Sequence, residues 1–167
     1  ADAAHDLGLG ICVLSRDPAR FAARFPRLAA DPRLRTIAGD VRDFPFPSGS
    51  FTHLIHAATE SSTRLDRDDP RTMFAVCRDG TRRVLDLAGR SGSARVLFTS
   101  SGAVYAPSLE GSGRFREEMS TTADPGDAPG AYAAGKRAAE ASCLEAADRK
   151  STRLNSSHEW ISRMPSS

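Results

Sequence analysis

Short apolar runs alternate along the chain with longer stretches of helical spacing. Residues 1–8 are alanine-rich and end in Gly8, which predicts the last turns of a helix closed by a glycine. Residues 11–14 (Ile-Cys-Val-Leu) lie between Gly10 and Ser15-Arg16-Asp17-Pro18 and predict a buried strand. Asp17 and Pro18 then read as the cap and first residue of a helix with Phe21, Phe25 and Leu28 on its apolar stripe. Pro26 should end or kink that helix, because proline lacks the N–H and clashes with the preceding turn. Leu34–Ala38 predicts a second strand, 44–50 a loop with two prolines, and 51–58 a third strand ending in Ala57-Ala58. Pro70–Arg90 has helical spacing, with Phe74, Cys77, Thr81, Val84, Leu85, Leu87 and Ala88 on a core face, and Gly92 breaks it. Arg95–Phe98 predicts a fourth strand, 107–130 a long Gly/Pro/Ser-rich loop, and 131–147 an alanine-rich helix.

Strands alternating with helices predict an α/β class with a doubly wound parallel sheet. Ligands of such sheets bind beyond the carboxyl ends of the strands. That draws attention to Ser15-Arg16, Asp40-Val41, Ala57-Ala58-Thr59 and Ser100-Ser101, each just past a predicted strand.

Composition narrows the class without choosing a chemistry. The 167 residues are 40% hydrophobic and 26% charged, enough for one soluble domain. No apolar run is long enough to span a bilayer, and no basic region followed by an apolar core opens the chain. Cys12, Cys77 and Cys143 fit neither a zinc spacing nor a disulfide framework and read as thiols of a reducing, cytoplasmic compartment. A net charge of +2 does not argue for nucleic acid or membrane as a partner.

Both ends are unusual. Residue 1 falls inside an element already under way. Residues 148–158 and 162–167 resemble, residue for residue, one reading frame of a DNA-sequencing adapter, with 159–161 as a variable index. Residues 148–167 are therefore expected to be a disordered, foreign tail. With four basic and two acidic residues, this tail carries the whole positive excess.

Tyr132 and Lys136 are the chemically suggestive pair. Four residues apart on a helix, they leave the same face one turn apart. An ammonium beside a phenol favours the phenolate, which suits general acid/base work near neutral pH. The bland reading is a half-buried aromatic and a surface lysine. His53 and His56 lie in one predicted strand and are taken to share a face, with packing and local hydrogen bonds preferred over a metal site. Glu117-Glu118 reads as solvated loop, Tyr105 as structural, and Arg78, Arg82 and Arg83 as a solvated or subunit-facing surface.

Taken in order, several motifs resemble the extended short-chain dehydrogenase/reductase superfamily, in its NAD-dependent epimerase/dehydratase branch. They are Ser15-Arg16-Asp17-Pro18, Gly39-Asp40-Val41, His56-Ala57-Ala58, Thr99-Ser100-Ser101-Gly102-Ala103-Val104-Tyr105, and Tyr132-x-x-x-Lys136, with Gly80-Thr81 through Leu85 on the intervening helix. The resemblance covers roughly residues 8–147. It implies an NAD(P)-binding Rossmann fold over residues 1–147, truncated at both ends and without the first strand and its glycine-rich phosphate loop. It implies Tyr132 as acid/base, Lys136 as the residue that holds the nicotinamide ribose and tunes Tyr132, and Ser101 as the hydrogen-bond donor to the reacting oxygen, with Ser100 the runner-up. Asp40 and Val41 would meet the adenine, Ala57, Ala58 and Thr59 would line the cofactor, and Ser15 and Arg16 would lie at its ribose.

Cys77 departs from the pattern, standing where many relatives have asparagine near the cofactor. Ser15 holds the position at which an acid would read a ribose 2′-hydroxyl, and Arg16 follows it. NAD or NADP therefore remain open, with charge leaning to NADP. The implied parent is a nucleotide-sugar epimerase, dehydratase or reductase, with a homodimer as one arrangement. A non-catalytic cofactor-binding relative and an inactive truncated product are the alternatives.

Overall fold

The computed structural model describes residues 8–59, 63–92, 95–105, 130–150 and 154–156. They fall into two compact units, residues 1–48 and 49–167. The class is α/β with parallel strands.

In the first unit β1 (Ile11–Ser15) runs parallel to β2 (Leu34–Ala38), with Ile11 opposite Leu34 and Ser15 opposite Ala38. Both strand ends thus reach the same carboxyl edge. Between them lie α1 (Pro18–Arg24) and α2 (Pro26–Ala29). The Asp17 carboxylate accepts from the Arg20 N–H at 2.9 Å and caps α1. Phe25 separates the two helices with φ −129° and ψ 61°. Pro26 is the cause, since a proline drives the residue before it out of the helical region. The loop after β2 folds back on itself, and Val41 and Phe44 are buried. A Cβ on residue 39 would lie 2.8 Å from the Phe44 Cβ, so only glycine admits this return. Gly8 has φ +66°, as a helix-closing glycine would, while residues 1–7 lie outside the described residues.

In the second unit β3 (His53–His56), β4 (Arg95–Phe98) and β5 (Leu154–Ser156) form a parallel sheet in the order β3-β4-β5. The helices are α3 (Thr63–Asp68), α4 (Pro70–Arg90) and α5 (Ala131–Lys150), with a single 3-10 turn at Gly102–Val104. Asp69 caps α4 by accepting from the Thr72 N–H at 3.0 Å, and Gly92 follows the helix with φ +90°. The buried face of α4 is Met73, Cys77, Gly80, Thr81, Val84, Leu87 and Ala88, while Phe74 and Leu85 are half-buried. Phe98, Ala139 and Cys143 form a core cluster with Leu85 packed against it. α4 and α5 cross closely at Gly135, where a Cβ would lie 2.7 Å from the Cys77 Cβ.

Four expectations change. The strand expected over 51–58 contracts to His53–His56. α3 is unforeseen, because Thr63–Asp68 has a single apolar residue, Leu65, and so shows no apolar stripe. The last helix continues to Lys150, and Leu154–Ser156, inside the segment expected to be disordered, pairs with β4. Strand pairing needs only backbone N–H and C=O groups, which any non-proline stretch supplies. Finally, His53 and His56 do not share a face. Side chains alternate with period two, so a separation of three places them oppositely, with His53 exposed and His56 buried. The loop at 106–129, including Glu117-Glu118, lies outside the described residues. No described helix is long and apolar enough to cross a membrane.

Candidate functional site

The centre of the second unit's site is a buried lysine. Lys136 is 2% exposed, and its Nζ donates to the Thr99 carbonyl at 2.7 Å, just beyond the end of β4. Its Nζ also lies 4.8 Å from the Phe98 ring centroid and 5.7 Å from that of Tyr132. The helical spacing of four therefore delivers Tyr132 and Lys136 to one face, as expected. Burial lowers the lysine pKa below its ordinary value, while the nearby Cys77 and Glu140 pull it back up. An ammonium has three N–H donors, and Thr99 takes one.

Side chains on successive turns of α5 grip the segment after β4. Lys136 holds Thr99, Glu140 takes a short hydrogen bond from the Ser100 hydroxyl, and Arg137 Nη1 donates to the Val104 carbonyl at 3.3 Å. Ser101 caps the 3-10 turn, its Oγ accepting from the Ala103 N–H at 3.3 Å. Among the described residues Ser101 and Tyr132 share no hydrogen bond, and α5 packs against the turn that Ser101 caps. Cys77 sits at the α4–α5 crossing, where burial raises its thiol pKa and Lys136 opposes that rise.

A polar chain runs beneath. Thr81 Oγ1 donates to the Cys77 carbonyl at 2.7 Å, so it accepts from His56 Nε2–H at 2.9 Å. The imidazole is thereby held as the Nε2–H tautomer, with Nδ1 buried and without a partner among the described residues. Burial, and secondarily the Lys136 charge, lower the His56 pKa to about 4. Among the described residues no three of His, Cys, Asp and Glu converge so as to hold a metal ion.

Ala57 and Ala58 follow β3 and are exposed, and the Thr59 N–H returns to the Ala57 carbonyl at 2.9 Å.

In the first unit the parallel register brings Ser15-Arg16 and Asp40-Val41 to one strand edge. The Ser15 hydroxyl accepts from the Asp17 N–H at 3.2 Å. Asp40 takes Arg42 Nε at 2.8 Å and the Arg42 backbone N–H at 2.9 Å on Oδ1, and Arg42 Nη2 at 3.1 Å on Oδ2. Arg42 chiefly, with a smaller part from Arg16, holds the Asp40 pKa below its usual range. Val41 is buried, so its contribution is the backbone and the fit of the loop.

Sequence reasoning missed Glu140, Arg137 and Asp66. Glu140 had a signal, lying one turn beyond Lys136 on the same helix face. Asp66, whose Oδ1 accepts from the Tyr132 N–H at 2.8 Å, had none, since 66 positions separate the two. Of the three arginines expected at the surface, Arg82 is exposed, Arg78 is half-buried, pairing with Asp79 at 2.7 Å and lying over the Phe74 ring, and Arg83 is half-buried with its Nε out of solvent.

The family model described as "NAD dependent epimerase/dehydratase family" matches residues 3–156. No curated protein matches the chain. Among solved structures, a UDP-glucose 4-epimerase from Thermus thermophilus in complex with NAD is 22% identical with a TM-score of 0.71, over 93% of this chain and 48% of that one. DesIV, a dTDP-glucose 4,6-dehydratase from Streptomyces venezuelae with NAD bound, is 24% identical with a TM-score of 0.68, over 87% and 44%. RMD from Pseudomonas aeruginosa, complexed with NADPH, is 19% identical with a TM-score of 0.57, over 88% and 52%. At these identities the likeness is one of fold, and the chain spans about half the length of these structures.

Proposed function

The chain belongs to the NAD-dependent epimerase/dehydratase family, and from that premise we propose that it carries the catalytic helix of an enzyme acting on a nucleotide sugar. A nicotinamide cofactor would supply the hydride chemistry when bound. The single observation behind this reading is the buried Lys136 ammonium, fastened to the Thr99 carbonyl and set under the Tyr132 ring. Tyr132 would take or give the hydroxyl proton of the sugar carbon being oxidised or reduced. Lys136 would use its remaining donors on ribose hydroxyls. Ser101 would donate to the reacting oxygen, and it is preferred to Ser100 because the Ser100 hydroxyl is already given to Glu140. Ala57, Ala58 and Thr59 would line the cofactor, and Asp40, Val41, Ser15 and Arg16 would receive its adenosine end.

The donor set fits such a group. A buried ammonium with unused donors suits a diol, and small residues after β3 suit close approach. Arg16, exposed and without an acid at residue 15, leans toward NADP. The structural relatives include complexes with NAD and with NADPH, and they span differing activities, so whether the reaction is epimerisation, dehydration or reduction is not chosen by the fold.

In the full-length enzyme carrying this segment, Tyr132→Phe should lower turnover by about 10²–10⁴-fold. Unchanged turnover would overturn the reading of Tyr132 as the acid/base, whereas absence of turnover in the unsubstituted full-length protein would favour a non-catalytic, cofactor-binding relative. Because the chain spans about half of its structural relatives, the 167 residues alone should bind NADH and NADPH weakly. A fluorescence titration with tight saturation by either would count against that.

A further inference from the structure

We propose that Asp66 is a positioning residue for Tyr132, capping the catalytic helix from a separate helix. The proposal rests on the reading of Tyr132 as the acid/base. Tyr132 is the second residue of α5, within the first turn, where backbone N–H groups have no acceptor inside the helix. Helices usually solve this with a side chain just before the first turn, but that residue here is Gly130, which has none. Asp66, on α3, supplies the acceptor instead, its Oδ1 taking the Tyr132 N–H at 2.8 Å.

Gly130 is what admits it. A Cβ at that position would run into Asp66 Oδ2 and lie 3.2 Å from Cγ. The carboxylate also places negative charge at the positive end of α5. Its charge also adds a small share to the rise of the Cys77 pKa. Lys136 lies one turn further along and is held independently through Thr99. Loss of the cap would therefore free Tyr132 relative to Lys136 and leave the rest of the helix in place. Asp66 ties the segment after β3 to the helix whose tyrosine does the chemistry.

The chain has two tyrosines, Tyr105 and Tyr132, so ¹⁵N-tyrosine labelling gives two amide signals, assigned by Tyr132→Phe. Asp66→Ala and Asp66→Asn remove the same charge, and only the second keeps an acceptor oxygen. Asp66→Ala should speed exchange of the Tyr132 amide about tenfold, the size expected for a lost cap. Tyr105 should be unmoved, and Asp66→Asn should restore most of the protection. An unmoved Tyr132 amide, an asparagine variant no better than alanine, or equal acceleration at Tyr105 would each overturn the cap. If Asp66→Ala does not fold, Gly130→Ala displaces the carboxylate from the same N–H and should give the same acceleration; no change would count equally against it. In the full-length enzyme Asp66→Ala should lower kcat with little change in KM, and Asp66→Asn should recover it. A kcat unmoved by Asp66→Ala would overturn the positioning role. Should Tyr132→Phe leave turnover unchanged, the catalytic reading fails while the exchange pattern still reports the cap.

Discussion

Two strand edges of this molecule carry charged groups, and they hold them in opposite ways. At the β1–β2 edge Arg42 and Asp40 pair with their side chains still 39% and 24% exposed, and the exposed Arg16 adds a small share to the field at Asp40. At the end of β4, Lys136 is out of water, bonded to a backbone carbonyl and covered by aromatic rings. The first arrangement is cheap to alter, because solvent and salt replace a lost partner. The second is not, because each group left unpaired in the interior keeps its full desolvation cost. The geometry suited to fixed proton transfer is the second, and the geometry suited to reading a charged ligand is the first.

The sharpest test of the difference is pH. The folded pKa of His56 is about 4 against an ordinary 6.5, because protonation would place a buried, unpartnered N–H on Nδ1 beside the Lys136 charge. The unfolded state then binds more protons as pH falls below 6.5, so stability present above that value is lost on the way down to about 4. Urea unfolding at pH 7.5 and pH 5 should differ by about 2 kcal/mol in favour of the higher pH. Lys136, with its lowered pKa, acts in the same sense but in the alkaline range. A flat profile between pH 7.5 and pH 5 would break the contrast.

Packing gives a smaller effect in the same region. Gly135→Ala would press a methyl group into the Cys77 Cβ. Overpacking of about 1–3 kcal/mol, offset by about 1 kcal/mol of gained helix propensity, should leave a loss of about 1 kcal/mol. Thermal melting would register it, and a stabilised variant would mean that the crossing yields more easily than its geometry implies. The exposed edge should respond least. Arg42→Ala should cost about 0.5 kcal/mol at low salt and nothing measurable at 1 M salt. A large, salt-independent loss would erase the distinction between the two edges.

Much of this was legible from residue order. Leu34–Ala38, Pro70–Arg90 and Arg95–Phe98 announce themselves through apolar runs, caps and closing glycines, and the structure has them at those bounds. The Tyr132–Lys136 face followed from helical periodicity, which is a local rule. α3 was not legible, because a six-residue segment with one apolar residue has neither a stripe nor a strong stop signal. The shortened β3 was not legible either, since pairing is decided by the neighbouring strand and β4 offers it four residues.

The chain by itself determined its alternation of strands and helices, the family pattern at the strand ends, and the common helix face of Tyr132 and Lys136. Each depends on residues close in sequence, whose geometry is set by period and by local caps. Tertiary structure alone decided that Lys136 is buried against Thr99, that Glu140 occupies Ser100, that His56 is buried with its tautomer fixed by Thr81, and that Asp66 reaches Tyr132. Those contacts join residues 25 to 66 positions apart. No local rule brings such residues together; packing of α4 on α5 and the parallel pairing of β3 with β4 do.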